Sequence, residues 1–256
     1  LSRGAAVWPP LVLLHGITGQ WQSYQTIMPG LIMRWHVFAL DNRGCGKSGR
    51  VPGQYRFMDY ARDVVAFMRA RVPAPAFVYG QSLGAMVAIA VAAKVPERVR
   101  GLALGDPPLS TASPGGDESP HAKRFVPQRD IIRQTNDVDE IAARLAPLFP
   151  GDDSASHRSR AKRLSQLDPD VLTFAIEKRL AEGYDLDGFL RSIKCPVLVL
   201  QGNTALGGVL SDQEVEHAAS LLSRCLVVKM SDCGHEIHRT KPTETVRIVA
   251  DFLDSI

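Results

Sequence analysis

The sequence predicts an α/β protein with a mostly parallel sheet, helices on both faces of that sheet and a helical insertion. Three observations predict this class: short apolar runs lie between turn residues, helix-spaced patterns alternate with them, and one long segment contains no strand. The chain of 256 residues is long enough for a sizeable core. Six apolar runs predict buried parallel strands, at 11–14, 37–40, 76–79, 99–104, 197–200 and 226–228.

Four helices are predicted between and after these strands. Residues 58–71 repeat apolar side chains at helical spacing, and residues 83–94 are small and apolar, as expected for a helix packed tightly against a sheet. Ser211 begins a third helix that runs to residue 222, since Glu214 stands in the capping-box position. A fourth helix covers 243–253 and closes the chain. This alternation favours a parallel sheet that is covered on both faces.

One segment, residues 107–190, breaks the alternation because it contains no clear strand. It begins with a Pro/Gly/Ser-rich stretch at 110–120. Helix-like patterns follow at 139–148, 157–167 and 169–180. We therefore predict a core domain of residues 1–106 and 191–256 and a helical cap at 107–190. Open α/β sheets bind ligands at the carboxyl ends of their strands, and we expect the cap to cover that edge.

Composition excludes several classes of protein. The formal net charge is +3, too small for nucleic-acid binding on charge alone, and no run of 18 or more apolar residues predicts a membrane span. No secretory signal is recognisable at the start of the sequence. The sequence also lacks an initiator Met, so the alternative that a leader peptide was removed stays open. The four cysteines lack disulfide-redox or zinc spacing, which favours reduced thiols in a cytoplasmic protein. We expect a small-molecule substrate, with no nucleic-acid or membrane partner; the oligomeric state is not predicted.

The strongest chemical signal is the pentapeptide Gly80-Gln81-Ser82-Leu83-Gly84. It matches G-x-S-x-G, with a predicted strand before it and a predicted helix after it. In that context the serine lies on a sharp turn that presents its hydroxyl at a helix N-terminus. Larger side chains at the two glycine positions would clash with the neighbouring strand and helix. We therefore predict Ser82 as a nucleophile.

A serine hydroxyl needs a general base, which is expected late in the chain, after the last strand. His235 lies there and is predicted as the base, while His238 is expected in the following turn. The developing negative charge needs two backbone N–H donors. Leu83 follows the nucleophile and Ile17 follows the first strand, so we predict these two residues as the oxyanion hole. His15 is interpreted as structural.

With these motifs the chain resembles the α/β-hydrolase superfamily. The matching pieces are LHG at 14–16, DNRGCGKS at 41–48, GQSLG at 80–84, the segment 196–202 and GH at 234–235. The resemblance covers nearly the whole chain outside the insertion and implies the α/β-hydrolase fold with a catalytic triad. The chain departs from the family at its start, since only ten residues precede Leu11 and the usual antiparallel hairpin is expected to be missing or truncated.

The resemblance implies an acid for the triad at one of two strand ends. Many members have it after the strand predicted at 197–200, but residues 202–205 hold no carboxylate here and the next one is Asp212. Other members, some dehalogenases among them, have it after the preceding core strand, where this chain has Asp106. We favour Asp106 as the residue that orients His235, and Asp212 stays the alternative.

Two further patterns have competing interpretations. The sequence Gly46-Lys47-Ser48 suggests a P-loop, but Asp41 stands where the motif requires its first glycine, so we interpret the loop as structural. Residues 157–163 are strongly basic. A solvated helix face is the favoured interpretation, and contact with an acidic substrate or partner is the alternative.

Trp21 is the predicted substrate-pocket residue, because it lies just after Ile17. Further aromatic residues are candidates either for an apolar pocket or for packing inside the cap: Tyr24, Phe125, Phe149, Phe174, Tyr184 and Phe189. The predicted chemistry is acyl transfer to water, from a small to medium carboxylic ester or lactone, with no metal and no organic cofactor.

Other reactions of the superfamily stay open. Carbon–carbon bond hydrolases, thioesterases, amidases and perhydrolases share the serine triad, and some members are ligand receptors with slow turnover. The serine at position 82 argues against the epoxide hydrolases and haloalkane dehalogenases of this fold, which use an aspartate nucleophile.

Overall fold

A single sheet of seven strands organises the part of the chain that the computed structural model describes, residues 1–112 and 124–256. The strands are β1 (Ser2–Arg3), β2 (Pro10–Leu14), β3 (His36–Ala39), β4 (Ala76–Gln81), β5 (Val99–Gly105), β6 (Val197–Gly202) and β7 (Cys225–Met230). Their spatial order is β1-β3-β2-β4-β5-β6-β7, and only the β1–β3 pair is antiparallel. All six predicted strands are present, and the predicted mostly parallel sheet is confirmed.

Helices connect most of these strands. They are α1 (Met28–Leu31), α2 (Phe57–Arg71), α3 (Leu83–Lys94), α4 (Phe125–Gln134), α5 (Val138–Leu145), α6 (Ser154–Leu164), α7 (Pro169–Ile176), α8 (Leu186–Ser192), α9 (Asp212–Leu221), α10 (Ile237–Thr240) and α11 (Pro242–Asp254). Short 3-10 helices lie at Trp21–Tyr24, Pro96–Arg98, Leu109–Ala112, Ala146–Leu148 and Thr204–Leu206. The Ser211–Glu214 capping box forms at the start of α9, as predicted.

The sheet is covered by helices on both faces because its strands bury both sets of alternating side chains. In β2, Val12 and Leu14 belong to a core cluster that includes α2 and α3, while Leu11 and Leu13 belong to a second cluster that includes α11. Residues 83–92 of α3 are all buried, which their small apolar side chains permit. The predicted α/β fold class is confirmed.

The edge strand β1 lies where the family usually has an antiparallel hairpin, which was expected to be missing or truncated in this chain. It has two residues, and Ser2 and Arg3 pair with Phe38 and Val37 of β3. The described structure therefore has one short antiparallel strand at this edge, as the predicted truncation implies.

Between β5 and β6 the described residues form helices and no strand. Each helix start from α5 to α8 has an aspartate N-cap whose carboxylate accepts a backbone N–H bond of the first turn: Asp137, Asp153, Asp168 and Asp185. Most of the Pro/Gly/Ser-rich stretch 110–120 lies outside the described residues. The domain bounds 107–190 stay a prediction. Helix α8 extends across the predicted boundary at residue 190 and packs against α3 and α9.

The cap is tied to the core next to the predicted site. The Tyr55 hydroxyl donates to Asp168 Oδ2 at 2.5 Å, and the N–H of Asp168 donates to the carbonyl of Gly44 at 2.7 Å. The buried side chain of Gln20 donates to Gln166 Oε1 at 3.0 Å and to the carbonyl of Arg163 at 3.4 Å. These contacts fix α6 and α7 above the carboxyl ends of the strands.

Two observations bear on the expected environment of the protein. None of the helices in the described ranges combines the length and the apolar character that a membrane crossing requires. All four cysteines lie in the described residues with their thiols unpaired, two of them buried and two half-buried.

Candidate active site

Ser82 lies on the turn between β4 and α3, with φ 55° and ψ −119°. Residues other than glycine rarely adopt such a positive φ, so the turn is strained. The flanking glycines permit this turn. A Cβ on Gly80 would lie 2.3 Å from the carbonyl oxygen of Gly84, and a Cβ on Gly84 would lie 1.8 Å from that of Leu14. The backbone thus has the sharp strand-to-helix turn that the sequence motif predicts.

We expect Gly84→Ala to lower the free energy of unfolding by about 3 kcal/mol, because the added methyl group would overlap the backbone of β2. Urea unfolding followed by circular dichroism measures this loss. Gly49→Ala is the matched control, since a Cβ there meets nothing within 4 Å, and it should change the stability by less than about 0.5 kcal/mol. Equal stability of the two variants would contradict the tight packing of the turn.

His235 and Asp106 meet across the sheet edge. His235 lies in the loop after β7, and Asp106 directly follows β5 with φ 42°. The Nδ1 atom of His235 lies 2.7 Å from Oδ2 of Asp106, whose side chain is fully buried. Because a carboxylate accepts hydrogen bonds, Nδ1 carries the proton, and Nε2 is the ring nitrogen that can receive one.

The Asp106 carboxylate is held by backbone donors on both of its oxygens. Oδ1 accepts from the N–H groups of Gly202 and Leu210, at 3.0 and 3.4 Å, and Oδ2 accepts from that of Val209 at 2.8 Å. These bonds offset the cost of burying the carboxylate and fix its orientation toward His235.

Asp212, the alternative acid, lies elsewhere. Its Oδ1 accepts from Gln201 Nε2 at 2.7 Å and from Lys229 Nζ at 2.9 Å, and the side chain is largely exposed. The Lys229 ammonium lowers the pKa of this carboxyl. Of the two carboxylates considered, only Asp106 has a hydrogen bond to His235.

A cavity of about 500 Å³ lies between the carboxyl ends of the strands and the cap helices. It brings together four of the predicted residues: Ile17, Ser82, Leu83 and His235. The N–H of Leu83 belongs to the first turn of α3, where backbone donors have no partner inside the helix. The cavity therefore has a hydroxyl, an oriented imidazole and a helix N-terminus on one side, as the predicted acyl-transfer chemistry requires.

His15 is structural, as predicted. Its side chain is fully buried, Nε2 accepts the N–H of Asn42 at 3.0 Å and Nδ1 donates to the carbonyl of Gly16 at 2.7 Å. These two bonds hold the neutral ring, and burial lowers its pKa. His15 thereby joins the loop that bears Ile17 to the loop after β3.

His238 is a buried residue of a short helix and not the turn residue that the sequence predicted. It lies in α10, fully buried, and its ring packs 5.1 Å from that of Tyr24. Burial lowers its pKa to about 4, so the ring is neutral at physiological pH. Nδ1 lies 3.3 Å from Gln81 Oε1, and Nε2 has no partner among the described residues.

Gln81 is a site residue that sequence reasoning missed. Its Nε2 donates to the carbonyl of His235 at 2.6 Å, and its Oε1 faces His238. The side chain therefore connects the nucleophile turn to the loop that bears the base. The position is the variable one before the serine in G-x-S-x-G, so the motif gives no signal for this role.

Trp21, the predicted pocket residue, is not among the residues that line the cavity. Its backbone N–H donates to Asp41 Oδ1 at 2.8 Å, and its side chain packs against the core cluster beside α11. The 3-10 helix at Trp21–Tyr24 turns Ser23 toward the cavity instead. Of the aromatic candidates only Phe125 lines the cavity, together with Phe57, which sequence reasoning missed.

The loop 41–48 is closed on itself, as its structural interpretation predicts. Oδ2 of Asp41 accepts the N–H of Lys47 at 3.1 Å, and the Ser48 hydroxyl donates to the Asp41 carbonyl at 2.6 Å. Gly46 has φ 57°, and a Cβ there would lie 2.4 Å from the Asp41 carboxylate. The loop therefore wraps around an internal carboxylate, the opposite of a phosphate cradle.

Comparison with known proteins agrees with this geometry. A family model described as the alpha/beta hydrolase fold matches residues 9–242. The 2-(acetamidomethylene)succinate hydrolase of Mesorhizobium japonicum is 26% identical over 255 residues, covering 96% of this chain and 88% of that relative. The haloalkane dehalogenase of Bradyrhizobium diazoefficiens is 26% identical, covering 100% of this chain and 90% of the relative. A solved structure of a hydrolase from Pseudomonas aeruginosa has a TM-score of 0.78 at 24% identity, covering 99% of this chain and 92% of that one.

Proposed function

Because this chain belongs to the alpha/beta hydrolase fold family, we propose that it is a serine hydrolase that cleaves small to medium carboxylic esters or lactones through an acyl-enzyme. The relatives support a hydrolase. Ser82, rather than a carboxylate, at the nucleophile position favours acyl transfer over carbon–halogen cleavage.

One observation carries the proposal: Ser82, on its strained turn, and His235 line the same cavity, and Nδ1 of His235 is hydrogen-bonded to the buried carboxylate of Asp106. This is the arrangement of nucleophile, base and orienting acid that activates a serine hydroxyl. A turn that served only the fold would have no need of a serine at positive φ, since glycine adopts that conformation without strain.

In the acylation step, Ser82 Oγ attacks the carbonyl carbon while His235 Nε2 takes the hydroxyl proton. The carbonyl oxygen becomes an oxyanion, which the N–H groups of Ile17 and Leu83 stabilise; each such donor contributes about 10²- to 10³-fold to the rate. The imidazolium is stabilised by the Asp106 carboxylate. It then gives its proton to the departing alcohol, which in a lactone stays attached to the acyl chain.

Water completes the cycle. His235 takes a proton from a water molecule as that water attacks the acyl carbon, the same two N–H groups hold the second oxyanion, and the proton returns to Ser82 as the acid leaves. Apart from the substrate and this water, the groups that act in these steps are side chains and backbone N–H groups of this chain.

The cavity supports a substrate of limited size. Its volume of about 500 Å³ lies in the range that suits a small organic ligand. Several apolar side chains contribute to its lining: Ile17, Phe57, Leu83, Phe125, Leu180 and Val209. They suit an aliphatic or unsaturated chain next to the reacting carbonyl.

A matched substrate panel tests the proposal. We expect esters and lactones to be turned over with kcat/KM at least about tenfold above amides of the same acyl group, because an amide carbonyl is less electrophilic and its nitrogen must be protonated by His235 before the C–N bond breaks. Preferred turnover of a carbon–carbon bond substrate, a thioester or an amide would move the function to that class. Tight ligand binding with negligible turnover of every class would favour a receptor.

A further inference from the structure

The cavity wall formed by the cap is strongly cationic. Five basic side chains line the cavity: Arg124, Arg160, Arg163, Lys178 and Arg239. Glu236 is the one acidic side chain among its described lining residues. Such an excess of one charge around a concave, partly apolar site raises the local concentration of ligands with the opposite charge.

Helix α6 divides the basic run 157–163 between two faces. Arg158 and Lys162 are exposed, and Arg158 forms an ion pair with Asp139 of α5. Arg160 and Arg163, three residues apart on the same face, line the cavity. The interpretation of the run as a solvated helix face therefore holds for half of it, and the other half points to the alternative, an acidic ligand.

The inward cations are only partly neutralised. Glu236 pairs with Arg239 at 2.5 Å, and Asp152 pairs with Arg160 at 2.8 Å. Arg160 also lies 3.8 Å over the Phe149 ring, but its Nε has no partner among the described residues.

Arg163 has no counterion in the described structure. Its Nη1 reaches the hydroxyl and the carbonyl of Ser159, at 3.1 and 3.3 Å, and no carboxylate of residues 1–112 or 124–256 lies within ion-pair distance of it. Burial lowers the pKa of Arg163 to about 10; repulsion from Arg239 and Arg160 acts in the same direction, and attraction to Glu236 and Asp152 opposes it. The guanidinium is still charged at neutral pH and has no ion pair of its own among the described residues, so an anionic ligand would stabilise it.

We propose that Arg160 and Arg163, with Arg124 beside them, form an anion subsite that binds a free carboxylate of the substrate. The substrate class is then a monoester of a dicarboxylic acid, or a lactone with a carboxylate substituent. The planar guanidinium groups match a carboxylate in shape and hydrogen-bonding pattern. This inference rests on the proposed function, because the subsite shares its cavity with Ser82.

Matched ester pairs test the subsite. The anionic members are the monomethyl esters of dicarboxylic acids from succinate to pimelate, and the neutral members are the methyl esters of the corresponding monoamides. We expect the wild-type protein to prefer the anionic member of the best pair by at least about tenfold in kcat/KM. Equal kcat/KM within every pair would overturn the proposal.

Variants locate the preference on α6. Arg163→Gln should lower the anionic-to-neutral ratio by about tenfold, and Lys162→Gln, its exposed neighbour, should leave the ratio within about twofold. If Arg163→Gln does not fold, as judged by circular dichroism, the anionic-to-neutral ratio of kcat/KM is measured for Arg124→Gln instead. Loss of the same factor for both substrates in Arg163→Gln, or an equal effect of Lys162→Gln, would contradict a carboxylate subsite.

A separate measurement distinguishes failure of the subsite from failure of the proposed function. A neutral alkyl fluorophosphonate should modify Ser82, and the free dicarboxylate of the best pair should slow that modification more than the neutral diamide does. If Ser82 reacts but the dicarboxylate and the diamide protect equally, the subsite is refuted and the serine chemistry stands. If Ser82 does not react, the proposed function itself fails.

Discussion

Ser82→Ala should lower kcat for the best ester by at least about 10⁴-fold while the protein keeps its fold. The hydroxyl is the atom that forms the acyl bond, and the base and the oxyanion donors cannot replace it. A low residual rate from the oxyanion hole and from substrate binding is expected. Steady-state kinetics on freshly purified protein, with circular dichroism as the check on folding, measures this loss.

Ser110→Ala is the matched control for that variant. Ser110 also lines the cavity, and its backbone N–H, which the substitution retains, donates to Glu214. We expect its kcat to stay within about threefold of the wild-type value, since its hydroxyl has no part in the proposed steps. Comparable losses in the two serine variants would contradict a nucleophilic role that is specific to Ser82.

Asp106→Asn should have the second largest effect, a loss of about 10³- to 10⁴-fold in kcat. Both oxygens of Asp106 accept N–H bonds, so an amide must place its NH₂ group against donors. If NH₂ takes the position of Oδ2, it donates to Nδ1 of His235 and forces the proton onto Nε2. His235 would then lack the lone pair that receives the serine proton.

Asp212→Asn distinguishes the two acids that the sequence left open. Asp212 is largely exposed and pairs with Lys229 in a solvent-screened ion pair, so its neutralisation should leave the fold intact and kcat within about threefold of the wild-type value. The comparison is made at a pH where wild-type activity is constant. The reverse order, with Asp212→Asn inactive and Asp106→Asn active, would refute the assignment from geometry.

The core of the fold could be predicted from the sequence because its signals are local. Runs such as 11–14 and 197–200 are short, apolar at every position and followed by turn residues, as expected for strands buried on both faces, and they form β2 and β6. The turn at Ser82 was predictable for the same reason, since the two glycines and the serine lie within five residues.

The choice of acid and the lining of the cavity depend on long-range geometry. Asp106 and His235 are 129 residues apart, and only the order of β5, β6 and β7 in the sheet brings them together. Trp21 illustrates the limit within a single short helix. Proximity to Ile17 along the chain did not predict the direction of its side chain, which packs on the core while Ser23 faces the cavity.

The basic run 157–163 shows the same limit for charge. Its sequence alone does not tell which cations face solvent, because that depends on how α6 is rotated about its axis. Burial of Ala161 and Leu164 orients α6, and Gln20 of a distant loop adds contacts with the backbone of Arg163 and with Gln166. Two arginines consequently face the cavity although the run has the composition of an exposed helix.

Acylation of Ser82 during turnover can be detected by mass spectrometry of the protein quenched in acid while it hydrolyses an activated ester. We expect a transient mass increase equal to the acyl group minus the hydroxyl hydrogen that it replaces, located on the peptide that contains Ser82 and absent from Ser82→Ala. Steady product formation with no acyl adduct, or an adduct on another residue that persists in Ser82→Ala, would contradict acylation of Ser82.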